Sequence, residues 1–379
     1  MPPMTHRERV LTTLNHQEPD RVPLDLGSVG SLLVDPVYFK VKKLLSIKGG
    51  VKPYRKGSTA NYYDERILEA LDIDFRHLWL SSPNKPKPKI NPDGTVVDEW
   101  GITWSKQGSY PVDFPLKKAA IKDLENYSWP VPEKSWEVGH LREKARYLFE
   151  NTDYAIVAKS VLSGGGIFER CYYLRGIQEF FVDMSVNKDF ARYLVEKVAQ
   201  IEIALWDIFL EAVGPYVHIV QRASDYGTQQ GLLISPQLYR EILKPAEARV
   251  IAFIKEKAPS AKIWFHSCGA VSELIEDFIE IGIDILNPVQ PLARSMDSFY
   301  LKKKFGKRIC FHGGIDLQKA LPGDIKDVQR EVKTRICAFA PGGGYILAPA
   351  NHIQADTPAE NVVFLYKFAR EFGKYPIKC

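Results

Sequence analysis

"KIWFHSCGAVSELIEDFIEIGIDILNPV", residues 262 to 289, sets a strand, a helix and a second strand in one stretch. Ile263, Trp264 and Phe265 make the short apolar run of a buried strand, "AVSELIEDFIEIG" carries the longer period of a helix, and "DILNPV" is short and apolar again. Strand, helix, strand implies two parallel strands joined by a right-handed crossover. The first strand stops abruptly on His266, Ser267, Cys268 and Gly269, setting an imidazole and a thiol two residues apart.

The same rhythm runs through the chain after residue 150. "YAIVAKS" (154–160), "VHIVQR" (217–222), "RICFHGG" (308–314) and "YILAP" (345–349) alternate with helical patterns such as "SPQLYREILKPAEARVIAFIKEKA" and "PAENVVFLYKFAREFG". An early "VPLDL" strand and one more between 65 and 80 bring the count to about eight βα units, which predicts an α/β TIM barrel. No GxGxxG follows the first strand to support a dinucleotide-binding sheet. "THRERVLTTLNH" (5–16) predicts an N-terminal amphipathic helix with Val10, Leu11 and Leu14 on one side. The Pro- and Gly-rich text from 85 to 135 predicts a β-hairpin insertion at the surface. Residues 1–379 are expected to form a single TIM-barrel domain.

Composition narrows the partners. The 51 basic and 46 acidic residues are interspersed, for a net charge of +5. The clusters "KPKPK" (85–89) and "LKKKFGKR" (301–308) read as solvated surface, so no nucleic-acid partner is expected. The N-terminus lacks an apolar h-region and no window reaches the roughly 18 apolar residues of a spanning helix, so the protein is expected in the cytoplasm and off the membrane. The five scattered cysteines are expected to be reduced, each available as a thiolate ligand.

Every late strand ends in polar or glycine residues, and in a TIM barrel those ends share one rim, where the active site sits. His266 and Cys268 point the same way from one strand end and can meet a single metal ion, or else serve as a hydrogen-bonded core histidine and a small core thiol. His312 in "FHGG" and His352 in "ANHIQ" end two more strands, so three of the eight histidines lie on this rim. Asp225 and Glu169 add carboxylates, as ligands or as acids and bases, with Asp225 also readable as a turn residue. Gly313 allows close approach to a ligand, and Trp79 and Tyr226 can wall an apolar one, although core packing suits either aromatic.

"HRERVLTTLNHQEPDRVPLDLG", "HSCGAVSELIEDFIEIGIDILNPVQP", "GGIDLQKALP" and "GGGYILAPANHIQADTPAENVVFLY" together resemble the uroporphyrinogen decarboxylase superfamily across nearly the whole chain. The resemblance implies a TIM barrel. True decarboxylases of that superfamily carry an arginine-rich segment after the first strand, where this chain reads "LGSVGSLLVDP" (26–36) without arginine. A tetrapyrrole with many carboxylates needs such cations, so uroporphyrinogen is disfavoured. "HSC" (266–268) is instead similar to half of the metal motif of the zinc-dependent, cobalamin-linked methyltransferase branch. The later cysteine of that motif is missing, and Asn351 and His352 stand in its place.

The implied enzyme is a methyltransferase that moves a methyl group from an O-methylated, perhaps aromatic, molecule to the cobalt of a separate corrinoid protein. Its zinc would be held by His266, Cys268 and His352, with Glu169 or Asp225 completing the set. Asp225 or His312 would handle a proton or orient the substrate, which Tyr226, Asn351, Gly313 and Trp79 would contact. A homodimer is compatible with the sequence. A carboxy-lyase acting on a small acid and a non-catalytic binding protein are the alternatives.

Overall fold

Seven parallel strands run around a barrel, each hydrogen-bonded to the next in chain order: β1 (Phe75–Leu78), β2 (Ala155–Ala158), β3 (Ile219–Ala223), β4 (Lys262–His266), β5 (Ile285–Val289), β6 (Cys310–Ile315) and β7 (Tyr345–Pro349). The computed structural model describes residues 3–55, 57–83, 87–106, 110–132, 136–162 and 164–379; Lys85 and Pro86 of the "KPKPK" cluster and Ser163 lie outside them. The segment around Leu24 spans the interval between β7 and β1. Leu347 N–H donates to the Pro23 carbonyl at 2.9 Å and Asp25 N–H to the Leu347 carbonyl at 3.0 Å, while on the other side Asp74 N–H donates to the Leu24 carbonyl at 3.0 Å. The expected "VPLDL" strand is thus the eighth stave, joined by a single parallel bridge rather than a regular ladder. Pro23 has no N–H to offer a ladder. The TIM-barrel expectation holds.

Alternation sorts the side chains into layers. Successive residues of a strand face opposite sides, so Phe75, Ile219, Trp264, Ile285 and Cys310 enter one apolar cluster inside the barrel. Val10 and Leu14 of the helix His6–Leu14 join that cluster and close the barrel's N-terminal end, as the amphipathic pattern predicts. Ile263 and Phe265 face outward into the larger core between sheet and helices.

Two residues further along, the inward positions turn polar: His77, Gln221, His266, Asn287 and His312 are all buried. Strand register brings part of this layer level, pairing His266 with Ala223 on one side and with Asn287 on the other. The layer lies at the C-terminal ends of the strands, where the barrel places its chemistry.

The 85–135 insertion is larger than one hairpin. Lys89–Ile90, Val96–Val97, Thr103–Trp104 and Pro111–Asp113 form a four-stranded antiparallel sheet, and Trp100, from the turn between its second and third pair of strand residues, reaches the barrel's cavity. The expectation for the cysteines is corrected in part. Cys337, on the helix Ile325–Phe339, forms a disulfide with Cys379, their Cα atoms 5.7 Å apart, whereas Cys171, Cys268 and Cys310 are free. Among the described residues no helix is long and apolar enough to cross a membrane.

Candidate active site

β4 ends on His266, and the turn that follows returns Cys268 to it, with Sγ 3.3 Å from the imidazole Nε2. From the end of β3, Asp225 places Oδ1 3.7 Å from the same Nε2 and accepts the Cys268 N–H at 2.8 Å. The three potential ligand atoms all lie within 4.8 Å of one another. Zinc bond lengths of about 2.0 to 2.3 Å set tetrahedral ligands about 3.4 to 3.6 Å apart. The His–Cys and His–Asp edges are close to that size, and nitrogen, sulfur and carboxylate oxygen are all zinc donors, so the residues fit the metal. Burial first, and then the charge of Asp225, push the Cys268 thiol well above its ordinary pKa. A cation is what would ionise it.

The imidazole is gripped from behind. His266 Nδ1 lies 2.5 Å from Asn287 Oδ1, Asn287 Nδ2 lies 2.6 Å from His312 Nδ1, and His312 Nε2 lies 3.0 Å from Asp25 Oδ2. An ionised Asp25 fixes the protons along this chain: His312 donates through Nε2, its Nδ1 accepts from the Asn287 amide, and the Asn287 carbonyl accepts the Nδ1–H of His266. The free lone pair of His266 is then on Nε2, facing Cys268 and Asp225. Burial opposes charge on Asp25, but the facing His77 and His312 rings outweigh it and hold the carboxyl below the ordinary range.

Gly30 presses on the same ring from the mouth. Its φ is +77°, and a Cβ there would stand 2.5 Å from His266 Cε1, so both backbone and space demand glycine. Gly30→Ala is expected to displace the ring and to weaken any zinc binding at the candidate cluster about 10- to 100-fold, the range for lost support of a metal ligand. Competition with a chelating dye measures it, and wild-type affinity would show that the ring is not held from this side.

The remaining expected site residues divide. Trp79 and Asn351 line the cavity of about 560 Å³ that opens over the cluster, and Asn351 Nδ2 sits 3.4 Å from Cys268 Sγ. His352 also lines the cavity but is not brought into the metal cluster: its Nδ1 accepts the Leu32 N–H at 3.0 Å and its Nε2 faces Arg55 at 3.4 Å. Glu169 stands one step behind Asp225, accepting the Asp225 N–H, the Gly166 N–H at 2.8 Å and the Ser224 hydroxyl at 2.9 Å. Burial and the nearby Asp225 charge push Glu169 up to about 7.

His352 and Glu169 are thus corrected as metal ligands, and three further expectations are corrected. Tyr226 is a core residue, its hydroxyl donating to Glu247 at 2.7 Å and its ring against Phe168 and Tyr239. Gly313 lies within β6 against the backbone of Pro288 and Val289, so its close approach serves strand packing rather than a ligand. His312 is fully buried behind His266, with its ring 3.9 Å from Trp264, and positions the site rather than touching a ligand. Sequence reasoning also missed Asp25, Asn287, Lys159 and Arg55. Lys159 and Asn287 left signals of the kind used elsewhere, a charge that ends the apolar run of "YAIVAKS" and an amide that opens the break "NPVQP".

A profile of the uroporphyrinogen decarboxylase (URO-D) family matches residues 106–372. A uroporphyrinogen decarboxylase of Trichodesmium erythraeum is 29% identical over 143 residues, 37% of this chain and 38% of that protein. One of Prochlorococcus marinus is 26% identical over 178 residues, 44% of this chain and 47% of that protein. The chain thus matches less than half the length of these relatives. Among solved structures, a methyltransferase from Methanosarcina mazei is similar at a TM-score of 0.63 and 18% identity, over 97% of this chain and 99% of that one. At that identity the likeness is one of fold.

Proposed function

Because the chain belongs to the uroporphyrinogen decarboxylase family and gathers Asp225, His266 and Cys268 at the barrel mouth, we propose that it is a zinc-dependent methyltransferase. It moves a methyl group from an O-methylated small molecule to the cobalt of a separate corrinoid protein. The observation that carries this reading is the one-sulfur cluster, whose imidazole is oriented by Asn287, His312 and Asp25.

Bound zinc would act as a Lewis acid on the ether oxygen, and a site with one thiolate and otherwise nitrogen and oxygen donors suits that task. The protein's own residues hold and orient. Trp79 and Trp100 line the cavity as apolar walls. Asn351 keeps the Cys268 sulfur turned toward His266. The methyl group would leave without its bonding pair, which would stay on the ether oxygen, and that oxygen would take a proton from water to give the hydroxyl product. The corrinoid partner would dock over the mouth, the side on which the cavity gives the methyl group access.

The segment 26–36, where true decarboxylases of the superfamily are expected to carry arginines, here supplies Gly30 to the His266 ring. That use disfavours uroporphyrinogen as substrate. A carboxy-lyase acting on a small acid is the second reading, favoured by the cations Lys159 and Arg55 in the cavity wall. Mixing zinc-loaded protein with cob(I)alamin and a panel of methoxylated aromatics separates the two. Methyl transfer predicts growth of the methylcob(III)alamin absorbance, absent after zinc is chelated. Carbon dioxide release by zinc-free protein, without that absorbance, would favour the lyase.

A further inference from the structure

Two cations stand in the cavity wall with no ion-paired carboxylate among the described residues. Lys159, which follows β2 and is 6% exposed, donates from Nζ to the Gly27 carbonyl at 2.8 Å. Arg55 donates from Nε to the Ala60 carbonyl at 2.7 Å and sets Nη2 3.4 Å from His352 Nε2. Neither makes an ion pair among the described residues. Both flank the ring of Tyr54, at 5.4 and 5.2 Å from its centre, and the Tyr54 hydroxyl is buried with no hydrogen-bond partner among the described residues. Two other buried cations are paired, Arg222 with Glu202 and Glu247, and Arg21 with Asp74, whereas buried Arg76 rests on backbone carbonyls and the Tyr154 ring outside the cavity lining. A buried ammonium without a paired carboxylate is unfavourable. Burial first, and then the Arg55 charge, bring Lys159 down to about 7.

These groups share one cavity with the metal cluster. The turn whose Gly27 carbonyl holds Lys159 also presents Gly30 to His266. Arg55 faces His352, and the neighbouring Asn351 faces Cys268. The Trp79 ring lies 4.8 Å from that of Tyr54, and both line the cavity as one aromatic wall. We propose that Lys159, Arg55 and Tyr54 form a carboxylate-binding site, and that the methyl donor is an O-methylated aromatic acid whose carboxylate docks there while its ether oxygen faces Cys268. Naming that ligand a methyl donor rests on the function proposed above; the anion site does not.

The test is calorimetric binding to full-length protein, zinc-free and without corrinoid, using 4-methoxybenzoate, neutral 4-methoxybenzamide and inorganic phosphate. Wild type is expected to bind the acid at least about tenfold more tightly than the amide, as charge-assisted hydrogen bonds require. Lys159→Met and Arg55→Gln are each expected to erase most of that preference and leave amide affinity within about twofold. Half-buried Arg55 supplies the result should Lys159→Met fail to fold, as judged by circular dichroism. Equal binding of acid and amide by wild type, a preference that survives Arg55→Gln, or displacement of the acid by phosphate at equal concentration would overturn the proposal. A charge preference found in a protein that transfers no methyl group leaves the site standing and removes the methyltransferase reading.

Discussion

His266→Ala protein is expected to fold, to hold little zinc, and to transfer methyl groups more than about 100-fold more slowly than wild type. The fold should survive because His266 sits at the end of β4, above the apolar layer of Trp264, Phe75 and Ile285 that fills the barrel. The metal should not. His266 Nε2 is the atom from which both short edges of the cluster extend, 3.3 Å to Cys268 and 3.7 Å to Asp225. Loss of an outer partner of a metal ligand costs about 10- to 100-fold, so loss of the ligand itself should exceed that range. Metal content by elemental analysis, circular dichroism and the cob(I)alamin assay together check the result. Wild-type activity in a folded His266→Ala protein would remove zinc from the account.

Asp74→Asn is expected to destabilise the protein by about 3 to 5 kcal/mol, the cost of removing one member of a buried ion pair. Asp74 is fully buried and accepts from Arg9 at 2.6 Å, Arg21 at 2.9 Å, His6 at 2.8 Å and the Leu24 N–H at 2.7 Å. One carboxylate therefore ties the helix plugging the barrel to the eighth stave and to the start of β1. Asparagine keeps the volume and one acceptor but strips a charge from two arginines. Burial opposes the Asp74 charge, yet Arg21, His6 and Arg9 outweigh it and hold the carboxyl below its ordinary value. A depressed carboxylate stabilises above its unfolded pKa of about 3.9, and that contribution fades as pH falls through the folded value. The gap between wild type and Asp74→Asn in urea unfolding should thus be widest near neutrality and narrow below about pH 4. A gap independent of pH over that range would assign the loss to packing instead.

The barrel was legible because its signal is repeated: each apolar run, and each polar break after it, says the same thing. Even "VPLDL" could be read as a strand, although it enters the barrel by a lone bridge. The insertion was legible as a β excursion but not as four strands, since pieces of two or three residues leave no usable alternation. The pairing of Cys337 with Cys379 depends on where a helix meets the chain's last residue, which spacing does not tell.

In the site, strand ends pointed to the right loops but not to the right side chains. Adjacent residues of an extended segment face opposite ways. Asp225 turns to the candidate metal cluster while Tyr226 turns into the core, and Asn351 meets Cys268 while His352 meets Arg55. The same parity took Gly313 out of the mouth. His266 and Cys268 share parity, and the structure keeps them together. Asn287 and Asp25 escaped notice because they lie within apolar strands, where polarity reads as an interruption until the barrel closes around it.

Zinc-edge X-ray absorption of zinc-loaded protein measures the central claim most directly. The account predicts a first shell with one sulfur at about 2.3 Å and nitrogen or oxygen ligands at about 2.0 to 2.2 Å, with the sulfur lost in Cys268→Ser. Two sulfur ligands, or a shell of oxygen and nitrogen alone that Cys268→Ser leaves unchanged, would contradict it.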